Sequence, residues 1–120
     1  MKVKPLSILL PLLFLFSGGA KLAGLEFEVM AFERWGYSLW FMYFVGAVEV
    51  AGGIGLLLGR LSVLAGVCLA VMMIGAIITH ILHAEWGMLI AATVIFTLLV
   101  AYTVTRRTEI IAPSLQKPQF

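Results

Sequence analysis

Cysteine occurs once in the 120 residues, at Cys68, so the chain can form neither an internal disulfide nor a CxxC pair. That excludes the thiol exchange by which some small four-helix membrane oxidoreductases reduce quinone through paired cysteines. Cys68 lies within an apolar stretch and reads as a buried, unreactive thiol, because apolar surroundings disfavour the thiolate. Charge is also scarce. Charged residues make up 12% of the chain, about half the share usual in soluble domains. A formal net charge of +2 is too small to argue for a nucleic-acid partner. Hydrophobic residues reach 62%. The few charges cluster between long apolar segments, which is the pattern of a multi-span membrane protein embedded in a lipid bilayer.

The apolar segments predict an all-α fold, a bundle of four transmembrane helices over residues 1–105, with spans at about 5–25, 38–58, 61–82 and 88–105. The polar, proline-bearing stretch 106–120 is predicted to be a tail. Short connections make neighbouring helices antiparallel, so four spans place both termini on one side. Lys2, Lys4, Arg60, Arg106, Arg107 and Lys117 then share one face, against Lys21 and Arg34 on the other, and the positive-inside rule puts both termini in the cytoplasm. Trp35, Trp40 and Trp86 fall near the opposite boundary, where indole rings prefer to sit. After the first span, Leu25, Val29 and Phe32 recur at helical spacing with Glu26 and Glu33 on another face, predicting a short interfacial helix. A competing reading treats Gly18 and Ala20 as the small residues of a secretory cleavage site before Lys21. Cleavage would leave three spans, and the distribution of positive charge fits four better.

Ionisable groups inside spans require a reason, since a charge at the centre of a helix costs ~2.5–3.5 kcal/mol on insertion scales. Glu49 lies roughly 16 Å into the second span at 1.5 Å per residue. Lys21 is about one turn inside the end of the first span, and His80 lies at similar depth on the third. With Ser17 and Thr79 they are predicted to line a polar pocket, binding a ligand or relaying a proton, and His83 stands one turn from His80. A structural Lys21–Glu49 pair is the alternative. His80, His83 and Glu85 form too short and common a pattern to assign a metal, because zinc needs a further convergent ligand. Small residues at Ala47, Ala51, Gly55 and Gly59 recur every fourth position, and with Gly18 and Gly52 they are predicted to pack helices closely, within the bundle or in a homodimer.

Three motifs stand in order along the spans: F-x-x-S-G-x-x-K-L-x-G (Phe14 to Gly24), G-x-x-E-x-x-G-G (Gly46 to Gly53) and M-x-x-x-A-x-x-x-H (Met72 to His80). Together they resemble the DoxX-like family of small four-helix integral membrane proteins, over about residues 8–105. The resemblance implies a multi-pass protein of the bacterial cytoplasmic membrane. It also implies a binding or auxiliary subunit in a membrane redox process, with a small polar-ended lipophile such as quinone as its ligand. If the chain is catalytic, it implies an oxidoreductase subunit of the DoxX/DoxD type, working with a partner redox subunit. Thiosulfate chemistry does not carry over to so minimal a bundle. Two other functions stay open: a proton-coupled exporter acting as a dimer through Glu49, and a membrane-protein assembly factor.

Overall fold

The computed structural model describes residues 5–111, and every regular element among them is an α-helix. Five helices follow one another: α1 (Leu6–Leu22), α2 (Glu26–Trp35), α3 (Leu39–Leu56), α4 (Leu61–Leu82) and α5 (Trp86–Ile111). Helices α3, α4 and α5 are each long and apolar enough to cross a membrane. The pair α1 and α2 passes the same test together but is bent by 81° at its break, giving three spans, or four if the pair counts as one. α1 alone has 17 residues, about 26 Å at 1.5 Å per residue, a little short of the ~30 Å hydrocarbon layer.

Local sequence explains the bend. Gly24 takes φ +68° and Gly36 takes φ +82°, left-handed values that glycine adopts without the Cβ clash other residues meet. At Gly24 the chain turns so that the Leu25 N–H donates to the Ala20 carbonyl at 3.1 Å, closing α1. At Gly36 the Tyr37 N–H donates to the Phe32 carbonyl at 2.9 Å, closing α2 in the same way. Ser38 then caps α3, its Oγ accepting from the Phe41 N–H at 3.2 Å. The predicted short helix after the first span is therefore present, as a ten-residue segment turned sharply away from α1.

α1 packs along α3, α4 packs along α5, and α3 and α4 join the two pairs, while α1 and α5 meet only sparingly. The core between them holds Leu10, Phe14, Leu56, Leu69, Leu99 and Tyr102, and the Tyr102 hydroxyl donates to the Leu56 carbonyl at 3.3 Å. At the end of the bundle away from α2, Arg106 clamps the α3–α4 turn. Its Nη2 donates to the Gly59 carbonyl and its Nε to Ser62 Oγ, each at 3.2 Å. α5 thus stays helical beyond Thr105, as far as Ile111.

The outer faces are apolar almost throughout. Phe16 is 83% exposed, and Phe44, Leu64, Val71 and Ile90 are also exposed. Apolar area on that scale is far beyond what a soluble monomer shows, and lipid is the medium that covers it. Cys68 sits on this outer surface and is exposed, so the expectation of a buried thiol is corrected. α4 turns Leu69 inward and leaves Val67, Cys68 and Val71 outside.

The small-residue seam also differs in detail from the expected one. A Cβ on Gly18 would stand 2.6 Å from the Gly46 carbonyl oxygen, and one on Gly46 would stand 2.9 Å from Lys21 Cβ, so α1 and α3 touch backbone to backbone there. Gly53 faces Leu15 of α1, while Gly52 and Gly55 face Leu69 and Ala65 of α4. Ala47 and Ala51 lie exposed on α3, and Gly59 has φ +44° in the following turn, where an added Cβ would meet nothing within 4 Å. The internal seam therefore uses Gly18, Gly52 and Gly55 of the expected set, adds Gly46 and Gly53, and does not use Ala47, Ala51 or Gly59. The physical reason is rotation. α3 presents glycines to two neighbours on different faces, and the i,i+4 stripe runs along neither for its whole length.

Candidate functional site

The close approach at Gly18 and Gly46 decides what meets one turn further along. It sets Lys21 and Ser17 of α1 directly against Glu49 of α3. Lys21 Nζ lies 3.0 Å from Glu49 Oε1 and donates to Ser17 Oγ at 3.0 Å. Ser17 Oγ in turn donates to the Glu49 carboxylate, at 3.0 Å to Oε1 and 3.2 Å to Oε2. α2 brings a second carboxylate: Glu28 Oε2 is 3.4 Å from the same ammonium. Lys21 and Glu49 are buried, at 9% and 6% exposure, so one cation serves two carboxylates in a poorly solvated place. Such an arrangement is costly unless every group finds partners, and these do.

A second polar cluster surrounds Glu85, in the connection between α4 and α5. Glu85 Oε1 is 2.9 Å from His80 Nδ1, and the Trp35 indole N–H reaches the same carboxylate at 3.0 and 3.1 Å. Arg34 completes it through Nη2 at 2.9 Å and Nε at 3.0 Å, both to Oε2. Partial burial works against ionisation of Glu85. Hydrogen bonds from His80, Trp35 and Arg34, with the charge of Arg34, outweigh it and hold the carboxyl down to about 2. Aromatic rings pack around this cluster. Trp35 meets His80 edge-on at 5.6 Å and Phe32 at 5.1 Å, and the Arg34 guanidinium lies 5.8 Å from the centre of the Trp35 ring.

Between the two clusters lies a cavity of about 690 Å³, lined by residues of all five helices. α1 and α3 supply Ser17, Lys21 and Glu49, α4 supplies Met72, Met73, Thr79 and His80, and α5 closes the side with Ala92 and Ile95. α2 adds Phe27, Glu28 and Phe32, so the bent helix walls one end. The volume falls within the ~300–1,000 Å³ usual for small-molecule sites, and the mixture of apolar walls with a few convergent polar groups is what such sites have.

Ser17, Lys21, Glu49, Thr79 and His80 all reach this cavity. His80 is not bonded to Glu49, however; its Nδ1 is taken by Glu85. His83 points elsewhere. It is exposed, and its Nδ1 hydrogen-bonds the Thr79 carbonyl at 2.9 Å. Among the described residues no group of three or more His, Cys, Asp or Glu is placed to hold a metal ion. Sequence reasoning missed Glu28, Arg34, Trp35, Tyr37 and Glu85 as lining or supporting groups. The available signal was Glu85 itself, a carboxylate five residues from His80 across a helix end, in a chain with only six acidic residues.

The fold and the cavity define a class: a small multi-pass helical protein of the lipid bilayer, with a ligand-sized chamber and buried ion pairs at its polar end. The chain belongs to the DoxX-like family, whose sequence profile matches residues 5–103, so the resemblance carried by the three motifs holds. It is also similar to the uncharacterized protein YdgD of Bacillus subtilis (strain 168), with 30% identity over 93 residues, 73% of this chain and 82% of that protein. No solved structure matches.

Proposed function

We propose that this DoxX-like protein is a binding or auxiliary subunit of a redox process in the bacterial cytoplasmic membrane. Its cavity holds the head group of a small lipophile of the quinone class. The observation that carries this reading is the chamber of about 690 Å³, whose walls are apolar and whose polar side chains, Ser17, Lys21, Glu49, Thr79 and His80, converge on one space. A ligand with an apolar tail and a polar ring matches that division. Structural ion pairs alone account poorly for it, because interhelical polar contacts in membranes average only ~0.6 kcal/mol. In this reading Lys21 and Ser17 hold Glu49 in place, and Glu49 and His80 meet the head group. Having one cysteine, the chain lacks a dithiol of its own, so the electrons of the process belong to a partner subunit or a bound cofactor.

The test is equilibrium binding of a decyl-substituted quinone and of its hydroquinone to the purified protein in lipid nanodiscs, followed by tryptophan quenching. Saturable binding is expected, weakened about tenfold in Glu49→Gln, the effect of losing ~1.4 kcal/mol of interaction. No saturable binding of either form, or affinities unchanged in Glu49→Gln, overturns the reading.

A further inference from the structure

The hydrogen bonds around the cavity are lopsided. Among the buried and half-buried polar side chains that line it, every donor already has a protein acceptor. Lys21 has three N–H bonds and three oxygens to receive them, on Ser17, Glu49 and Glu28. The Ser17 hydroxyl donates to Glu49. Thr79 Oγ1 donates to the Gly75 carbonyl at 3.0 Å, so in its 2.7 Å contact with Tyr37 the tyrosine hydroxyl is the donor. The Trp35 indole N–H is committed to Glu85. The unused capacity consists of acceptors, and His80 provides the clearest one.

Glu85 is an ionised carboxylate and can only accept, so His80 Nδ1 carries the proton between them. In the neutral ring Nε2 is then a bare lone pair. That tautomer is assigned by the network, in which no other partner competes for Nδ1. Nε2 itself has no partner among the described residues, although His80 is only 6% exposed. No fully sealed side-chain nitrogen or oxygen there is left without a partner, so Nε2 must open onto free space. His80 lines the cavity, and the cavity is that space. Glu28 Oε1 and, in the ionised form, the less engaged Oε2 of Glu49 add acceptors on the opposite side.

We propose that the cavity selects a lipophile whose head group donates hydrogen bonds, a quinol or phenol rather than a quinone. His80 Nε2 is the receiving atom, and Glu85 is the positioning residue that fixes its tautomer. The inference rests on the lipophile-binding reading above and narrows it. A quinone carbonyl offers only acceptors to a wall of acceptors, whereas a hydroxyl satisfies one. Sites built to hydrogen-bond a hydroxyl discriminate strongly against analogues that lack it, because the protein's own buried group is then left unpaired.

The experiment compares three probes with one tail: a decyl hydroquinone, its quinone and its dimethyl ether. Each is titrated anaerobically into the protein in nanodiscs, and the ¹⁵N spectrum of histidine-labelled protein is recorded alongside. The hydroquinone is expected to bind at least about tenfold more tightly than either analogue, with His80 in the Nδ1–H tautomer. In Glu85→Gln, whose amide can donate as well as accept, that preference should fall to within about threefold, and the His80 spectrum should become a tautomer mixture. Equal or tighter binding of the quinone overturns the inference and leaves lipophile binding standing. A proton on Nε2 in the unaltered protein, whether in the other neutral tautomer or in the imidazolium, overturns it as well. Failure of all three probes to bind removes both readings. The comparison of probes needs no variant, so it stands even if Glu85→Gln folds poorly.

Discussion

Glu85 ties together parts of the chain that are distant in sequence: Arg34 and Trp35 from α2, and His80 from the last turn of α4. It follows Ala84, which takes a left-handed φ of +54°, a conformation that costs a residue with a Cβ ~1–2 kcal/mol. The Glu85 N–H donates to the His80 carbonyl at 2.9 Å in the same turn, so the strained turn aims the carboxylate back at the histidine one helical step behind it. Because its folded-state value is held down to about 2, below the ordinary ~4.3 of an unfolded chain, Glu85 contributes stability that is complete above about 4.3. That contribution disappears as the pH falls toward about 2. Glu85→Gln should therefore lower the melting temperature near neutral pH, and its deficit against the unaltered protein should shrink as the pH drops through this window. Thermal unfolding in detergent at a series of pH values checks this, and a deficit that stays constant down to the acid limit would sink it. The half-exposed Arg34 side chain makes part of the effect sensitive to salt.

At the scale of helices, the glycines do two separate jobs, and adjacent positions in α1 separate them. Gly18 faces the α3 backbone with no room for a methyl group, whereas a Cβ on Gly19 would meet nothing within 4 Å. Gly18→Ala should therefore destabilise by ~1–3 kcal/mol through overpacking, and it should disturb the Lys21–Glu49 contact one turn away. Gly19→Ala should be neutral or stabilising by up to ~1 kcal/mol, because alanine is the better helix former. Retention of folded protein through a detergent or urea titration distinguishes them, and equal effects of the two substitutions would refute the seam. Before the fold is known, the two glycines look alike, since both are small residues in an apolar run. Only the position of α3 tells them apart. The motif G-x-x-E-x-x-G-G held the better clue, for Gly46, Glu49 and Gly53 at spacings of three and four share one helical face, and that face is the one on α1.

For the molecule as a whole, the broad organisation was legible because it follows from additive quantities. Lengths of apolar runs gave the spans, and Glu49 and Lys21 announced themselves by the cost of placing charge there. The second cluster was not legible, because Arg34, Trp35 and Glu85 all lie in segments polar enough to be ordinary loops. Their meeting depends on an 81° bend, which no composition reveals. The structure also groups the described basic residues by end. Arg60 adjoins the α3–α4 turn that Arg106 clamps, with Arg107 following, while Lys21 and Arg34 lie at the α2 end and are bound by carboxylates. Orientation follows the count of lysine and arginine whatever their acidic partners, and the three described arginines at the α3–α4 end outnumber the two cations at the α2 end. The α3–α4 turn should therefore face the cytoplasm and the Glu85 connection the outside. Cysteine placed at Arg60 or at Ala84, in a chain carrying Cys68→Ala, should be protected from and labelled by an impermeant maleimide added to intact cells, respectively. The exposed native thiol on α4 makes that background substitution necessary. Labelling at Arg60 with protection at Ala84 would invert the orientation. It would also put the polar end of the cavity on the cytoplasmic side.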